Sequence, residues 1–357
     1  MHVLFDCRYV KDGARDGISR FTIELARHLA ELADVTLLIS STDQLQQLPD
    51  LPHIVGPSQV GVLEPFTSWR LRRFEADVLF SPMQTIGTRG RRWPVVVTIH
   101  DLIYYRHPTP PRDLPAFVRG LWRLYHRAFW PQRMLLRGSD GIVTVSEATA
   151  SVMRTNRLDV RPVGVVHNAA DPLGEPVSDS RPERKRIVYM GSFMPYKNVD
   201  TLVRTVALLP DYELVVLARV SEHERKRLAA IAPDARLVFL NGVTDEEYAD
   251  CLRSSTALVS ASREEGFGIP LLESLALGVP VVVSDIDIFH EVAGDAGLYA
   301  NPDDPGEFAA RIRALEAHEL WEEKSRAGRA RARSFSWSDS AKRLHGFLEQ
   351  TSREWRA

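Results

Sequence analysis

Ser262–Pro280 reads SREEGFGIPLLESLALGVP and runs directly into Val281-Val282-Val283. Gly266 and Gly268 bracket Phe267, and Glu265 and Glu273 have seven residues between them. Pro270 suits the first position of a helix, where its fixed φ helps and its missing N–H costs nothing. Leu271, Leu272, Leu275 and Ala276 then form a helical apolar face, which Gly278 and Pro280 terminate. The spacing predicts a loop whose backbone approaches a ligand, a helix start with exposed N–H groups, and a buried strand. That combination suits an anion, above all a phosphate.

The same strand–loop–helix grammar extends to both sides. His2 to Phe5 is an apolar strand that runs through Gly13 and Gly17 into a helix with Phe21, Leu25 and Leu29 on one face. Further strand runs are read at Thr36–Ser40, Val78–Phe80, Val95–Ile99, Ile142–Val145 and Val163–Val166, with a long helix near Leu114–Leu136. Asn168–Arg184, holding four prolines and glycines among polar residues, reads as a linker. A second series follows at Ile187–Met190, Leu214–Leu217, Leu237–Leu240, Ala257–Val259, Val281–Val283 and Leu298–Ala300. Helices are expected between them, at Val199–Leu208, Glu222–Ile231, Asp245–Leu252 and Ile269–Leu277. Apolar strands alternating with helices imply parallel sheets covered on both faces. The expected fold is therefore α/β, two tandem doubly wound, Rossmann-like domains facing a central cleft. Their bounds are read as 1–170 and 171–334, with the terminal helix 335–357 packing back on the first. The Arg-rich Glu322–Arg333 reads as a solvated helix.

Bulk properties narrow the function. The 357 residues suffice for two domains, and a net charge of −2 gives no reason to expect a nucleic-acid partner. Cys7 and Cys251 lie far apart, with no CxxC pair and no secretory leader pattern, which favours a reducing, cytoplasmic setting. Apolar runs such as Val95–Ile99 are strand-length, far short of a spanning helix. Charge is uneven: Gly61–Asp140 holds 13 Arg, no Lys and 6 carboxylates, a net +7. Trp69, Trp93, Trp122 and Trp130 are interleaved with those arginines. Leu114–Leu136 thus has the composition of an interfacial helix, placing the protein peripherally at the inner membrane face. It equally has that of a buried amphipathic helix with snorkelling arginines.

In doubly wound sheets, ligands bind beyond the carboxyl ends of the strands. The candidates there are Gly17, His100, the loop Gly191-Ser192 to Lys197, and Arg263 to Ile269. Lys197, just before an apolar-faced helix, adds its charge to the helix dipole and favours phosphate. Glu265 and Glu273 are open to three readings: stabilising a dipole, accepting sugar hydroxyls, or flanking one bond as acid and base. His100 at a strand end is either structural or a polarising group. No His/Cys/Asp cluster has metal spacing, so no metal and no separate cofactor are expected.

EGFGIPLLE at Glu265–Glu273, continued by Ser274–Val282, resembles the signature of the retaining GT-B glycosyltransferases of family four, the glycosyl transferases group one. Lys197-Asn198 after a Gly-ended strand, His100-Asp101, Val145-Ser146-Glu147, His167-Asn168 and Phe335-Ser336-Trp337 match in the family's order. The resemblance implies a hexosyltransferase that uses a nucleotide-diphosphate sugar as donor substrate, with the second domain binding the donor and the first serving the acceptor. Glu265 would then contact the donor sugar and Glu273 the ribose. Lys197 and the amides near Phe267–Ile269, beside Gly266 and Gly268, would hold the diphosphate. Gly17 and His100 would lie near the diphosphate and the transferred sugar, and Gly191, Ser192 and Arg263 complete the expected donor set. GDP-mannose is the preferred donor, from the likeness of VTIHDL and MPYKN to mannosyltransferases, and the acceptor is a glycan or lipid-linked. Other readings are UDP-glucose or another donor, a nucleotide-sugar epimerase, and a catalytically silent sugar-nucleotide-binding protein. Two departures stand out. Ser192 and Tyr196 occupy places where many relatives carry an arginine, leaving Arg263 or Arg219 to balance the diphosphate. Asp16-Gly17-Ile18 replaces a Gly-Gly pair.

Overall fold

The computed structural model describes residues 1–11, 16–59, 64–110, 115–171, 173–177 and 181–357. The chain divides into two compact units: Met1–Asn168 with Ser336–Ala357, and Ala169–Phe335.

Unit 1 runs β1 (His2–Asp6), α1 (Gly17–Leu29), β2 (Asp34–Ile39), β3 (His53–Val55), α2 (Thr67–Arg70), β4 (Val78–Ser81), β5 (Val95–Ile99), α3 (Ile103–Arg106), α4 (Ala116–Tyr125), α5 (Trp130–Leu136), β6 (Gly141–Thr144), α6 (Glu147–Thr155) and β7 (Val163–Val165). Its strands pair in parallel in the order β3-β2-β1-β4-β5-β6-β7. The order reverses between β1 and β4, the mark of a doubly wound sheet. The central strands are buried along almost their whole length, which is why they read as apolar runs. β3 was not apparent in sequence, being a three-residue edge strand too short to show a period.

The helix expected over Leu114–Leu136 is two helices, α4 and α5; Leu114 itself lies outside the described residues. Pro131 explains the break. In a continuous helix its ring would clash with the carbonyl of Arg127 and it could not donate the hydrogen bond there. It sits instead in the first turn of α5.

Unit 2 runs β8 (Arg186–Tyr189), α7 (Val199–Ala207), β9 (Glu213–Val216), α8 (Glu222–Ile231), β10 (Leu237–Phe239), α9 (Asp245–Arg253), β11 (Ala257–Ser260), α10 (Ile269–Leu277), β12 (Val281–Ser284), α11 (Asp287–Ala293), β13 (Gly297–Ala300), α12 (Pro305–Ala314) and α13 (His318–Ala332). The parallel order is β10-β9-β8-β11-β12-β13, reversing between β8 and β11. Its core joins Val199, Leu202 and Val206 of α7 with Leu214, Val216, Phe308 and Trp321. The Arg-rich stretch expected to be a solvated helix belongs to α13, which is only partly exposed. Trp321, Ser325, Gly328 and Ala332 form a buried stripe, and a Cβ at Gly328 would stand 3.0 Å from Cδ2 of Leu275 on α10. Small residues let the two helices approach closely, and small residues carry little apolar signal in sequence.

The final helix, α14 (Trp337–Arg356), belongs to unit 1. Ser336 caps it, Ser340 Oγ donates to the carbonyl of His167 at 2.7 Å, and Ser352 Oγ donates to that of Asp77 at 3.2 Å. The Trp337 ring meets Phe21 of α1 edge-on, at 6.3 Å between centroids. The Phe347 ring lies over β6 and β7, where a Cβ at Gly141 or Gly164 would come within 2.8 and 2.9 Å of it. Those two glycines exist to admit the ring.

Candidate active site

In unit 2 the loops leaving β8 and β11 carry the expected residues, and these are the two strands flanking the reversal in strand order. The loop after β8 turns at Gly191, where a Cβ would stand 2.7 Å from the Tyr189 hydroxyl. That hydroxyl donates to the Ser192 carbonyl at 2.6 Å, fixing the turn. Burial and the charge of Glu265 push the Tyr189 phenol up, so it stays a neutral donor. A short 3₁₀ turn at Pro195–Lys197 follows. Asn198 then takes a left-handed conformation, φ 51°, before α7 begins.

The loop after β11 meets it directly. The Arg263 amide donates to the Tyr196 carbonyl at 2.8 Å, tying the two loops together. Lys197 Nζ donates to Glu265 Oε1 in an ion pair whose side chains are both largely buried. Ser262 Oγ donates to the same oxygen at 3.0 Å and lies 3.1 Å from Ser260 Oγ. Glu265 is therefore held by two donors from two loops. Ser262 and Ser260 were not singled out in sequence, since serines after a strand are ordinary loop residues.

Gly268, with φ +94°, is the residue before α10, and Ile269 is the first helical residue. Pro270 is thus second in the helix, one place later than its type suggested. A side chain at Gly268 would be strained twice: by the positive φ, and by a Cβ 3.2 Å from Cε1 of Phe289. Phe267 is buried and packs edge-on against Phe335, 5.7 Å between centroids. Glu273, in the second turn of α10, is buried. The N-terminal turn of α10 begins four residues after Glu265 with its positive dipole end; Pro270 has no N–H and the amides of Leu271 and Leu272 donate to the Gly268 carbonyl at 3.0 and 3.3 Å.

The two arginines differ. Arg263 is committed: its guanidinium pairs with Asp303 and donates to the Pro195 carbonyl at 3.3 Å. Arg219, just past β9, is exposed, packs its stem on Gly242 and makes no ion pair among the described residues. β9 is the neighbour of β8.

In unit 1, Gly17 is the exposed first residue of α1, and Asp16 caps that helix by accepting from the Ser19 amide at 2.9 Å. Gly13 lies outside the described residues. His100, one residue beyond β5, lies 2.8 Å through Nε2 from the carbonyl of Pro82 and meets Phe21 edge-on at 5.0 Å. A carbonyl only accepts, so Nε2 carries the proton and Nδ1 is an acceptor. Burial pulls the His100 pKa from 6.5 to about 4, against the opposing pull of the Pro82 carbonyl and Asp16, and the ring is neutral near pH 7.

Beneath this rim is a charged cluster that the sequence did not disclose. Arg8 is fully buried. It donates to Asp6 from Nε at 2.8 Å and Nη2 at 3.0 Å, and to Glu64 from Nη1 at 2.8 Å and Nη2 at 3.0 Å. Ser81 Oγ donates to Asp6 at 2.9 Å, linking the ends of β1 and β4, where the sheet reverses. Asp6 and Arg8 are neighbours in sequence, but Glu64 is distant and nothing local announces it.

Among the described residues no three His, Cys, Asp or Glu side chains are grouped to hold a metal ion. Nor is any described helix long and apolar enough to cross a membrane.

Comparison with known proteins agrees with this geometry. The sequence model of Glycosyltransferase Family 4 matches residues 15–172, and that of Glycosyl transferases group 1 matches 175–334. The O-antigen chain mannosyltransferase RfbU of Salmonella typhimurium is 25% identical over 325 residues, covering 84% of this chain and 87% of that protein. The phosphatidyl-myo-inositol mannosyltransferase of Mycolicibacterium smegmatis is 33% identical over 271 residues, covering 72% and 65%. Among solved structures, the sucrose-phosphate synthase of Thermosynechococcus elongatus superposes with a TM-score of 0.76 at 18% identity, over 98% of both chains. With two parallel doubly wound sheets and both family models matching in series from 15 to 334, the chain belongs to the glycosyl transferases group 1 family, a GT-B, nucleotide-sugar-dependent hexosyltransferase.

Proposed function

We propose that this enzyme transfers mannose from GDP-mannose, with retention of anomeric configuration and without a metal ion, to a glycan or lipid-linked acceptor. The observation that carries the reading is the junction of Lys197, Glu265 and the start of α10 at the sheet reversal of unit 2. The likeness to mannosyltransferases at 25 to 33% identity supports mannose.

The chemistry follows from these groups. The bond from the anomeric carbon to the diphosphate oxygen breaks, and negative charge accumulates on the leaving nucleotide. The Lys197 ammonium and the positive end of the α10 dipole are already in place for that charge, and preorganised groups of this kind lower the barrier without reorganisation. Glu265, ionised, accepts from sugar hydroxyls and so orients the ring, while Glu273 is assigned to the ribose. The acceptor hydroxyl attacks the face from which the diphosphate departs, and its proton passes to the leaving phosphate oxygen, so no protein nucleophile is required. His100, neutral with Nδ1 unprotonated, is suited to accept from a sugar hydroxyl, not to act as a cation.

A thermal-shift screen of GDP, UDP, ADP and dTDP and their sugars tests the donor. Ligand at about a hundred times its Kd stabilises by about 2.7 kcal/mol, so the true donor should raise Tm by several degrees. A larger shift with UDP-glucose than with GDP-mannose would replace mannose as the sugar, and no shift with any nucleotide would refute the donor site. Proton NMR of the product reports the anomeric configuration.

A further inference from the structure

Two charges of opposite sign share the junction of the β8 and β11 loops, and one of them works against a phosphate. The Lys197 and Glu265 side chains are 16 and 15% exposed, so water screens them only in part. Oε1 of Glu265 accepts from the Lys197 ammonium and from Ser262 Oγ at 3.0 Å, which holds the carboxylate on the lysine. The centroid of the Tyr196 ring lies 5.5 Å from Nζ. Arg263, the next cation along the loop, is matched by Asp303. The ammonium charge is thus offset within the site, and any diphosphate drawn to Lys197 also meets Glu265.

A sugar nucleotide and the nucleotide it leaves behind differ in how they meet that carboxylate. The diphosphate of the donor carries two negative charges, and in the binding mode proposed above its sugar hydroxyls donate to Glu265. Transfer removes those hydroxyls with the sugar. The terminal phosphate, having received the acceptor's proton, releases it to water above a pKa of about 6 and so gains a third charge. Like charges in a poorly screened site repel, and Glu265 then has no sugar hydroxyl to offset the repulsion. We infer that Glu265 is a specificity residue that favours the sugar nucleotide over the spent nucleoside diphosphate. It thereby speeds product release, with Lys197 returning to it as the diphosphate leaves. The inference rests on the donor site proposed above and adds to it a charge that discriminates against the product.

Isothermal titration of the full chain with GDP and with GDP-mannose, or with UDP and UDP-glucose if those are the ligands that raise Tm, reads the two dissociation constants. Glu265→Gln keeps the size and polarity of the side chain and removes its charge. It should bind GDP about tenfold more tightly than wild type does, with GDP-mannose unchanged or weaker. A merely structural role predicts the opposite, since a loosened site loses both ligands. Glu265→Ala removes the same charge and should also tighten GDP, whereas Glu265→Asp keeps it and should stay within about threefold of wild type. GDP binding that neither charge-removing variant tightens, beside measurable binding by wild type, would overturn the inference and leave the donor site standing. Equal tightening of GDP and GDP-mannose would overturn it as well. If neither ligand binds the wild type, the donor site itself falls and the inference with it.

Discussion

Lys197 and Glu265, 68 residues apart, form an ion pair because their loops leave strands β8 and β11, which lie side by side where the sheet of unit 2 reverses. The ammonium is thus positioned before any ligand arrives. Lys197→Ala should lower turnover about a hundredfold and weaken the nucleotide-induced thermal shift, and it should also lower the ligand-free Tm, because Glu265 is left largely buried without its counter-charge. Lys197→Arg should recover part of the binding. Steady-state kinetics with the preferred donor, beside the melting curves, separate these effects, and wild-type turnover in Lys197→Ala would remove the phosphate role.

The two arginines that could compensate for Ser192 and Tyr196 should behave oppositely. Arg263 already serves Asp303, and an exposed pair of that kind contributes no more than about 1 kcal/mol, so Arg263→Ala should change little beyond a small drop in Tm. Arg219 makes no such ion pair and follows the strand next to β8. Arg219→Ala should raise KM for the donor several-fold with stability unchanged. Equal effects in the two variants would contradict this division.

Arg8 pairs with two buried carboxylates at once. Arg8→Met fits the space but strands Asp6 and Glu64 without a counter-charge, and breaking such a cluster costs about 3–5 kcal/mol. Chemical denaturation should show that loss in the transition of unit 1. Removing Asp6 and Glu64 as well should restore much of the stability, because the cost lies in the unpaired charges.

His100 makes a directional prediction for pH. Its pKa is about 4 in the folded chain against 6.5 when exposed, so between those values the unfolded chain binds the extra proton. Stability from this group is complete above pH 6.5 and is lost as pH falls through 4. The loss is on the order of 2 kcal/mol once the ring's partial exposure is allowed for. Comparing Tm of wild type and His100→Gln across that window isolates it, and a His100→Gln curve with the same acid slope would rule the group out.

The architecture was readable because strands buried on both faces carry unbroken apolar runs, and Val95–Ile99 or Val281–Val283 cannot be mistaken for half-exposed strands. What escaped reading did so for local reasons. β3 is too short to show a period, α13 beyond Trp321 buries only small residues, and Pro131 divides a pattern that looked continuous. Among the site candidates, Lys197, Glu265 and Gly268 were legible because each stands at a strand end or helix start, and Glu273 because of its seven-residue separation from Glu265. Ser262 and the Asp6-Arg8-Glu64 cluster were not, since their significance is a contact between segments that no spacing encodes.

The return of α14 to unit 1 also sets an order of assembly during synthesis. Unit 2 is one unbroken stretch and can close its core once Phe335 has left the ribosome. Unit 1 cannot: Gly141 and Gly164 leave a gap on its sheet until Phe347 has been made. The part of the chain translated first is therefore the part completed last, and through all the intervening synthesis its β6–β7 face waits uncovered.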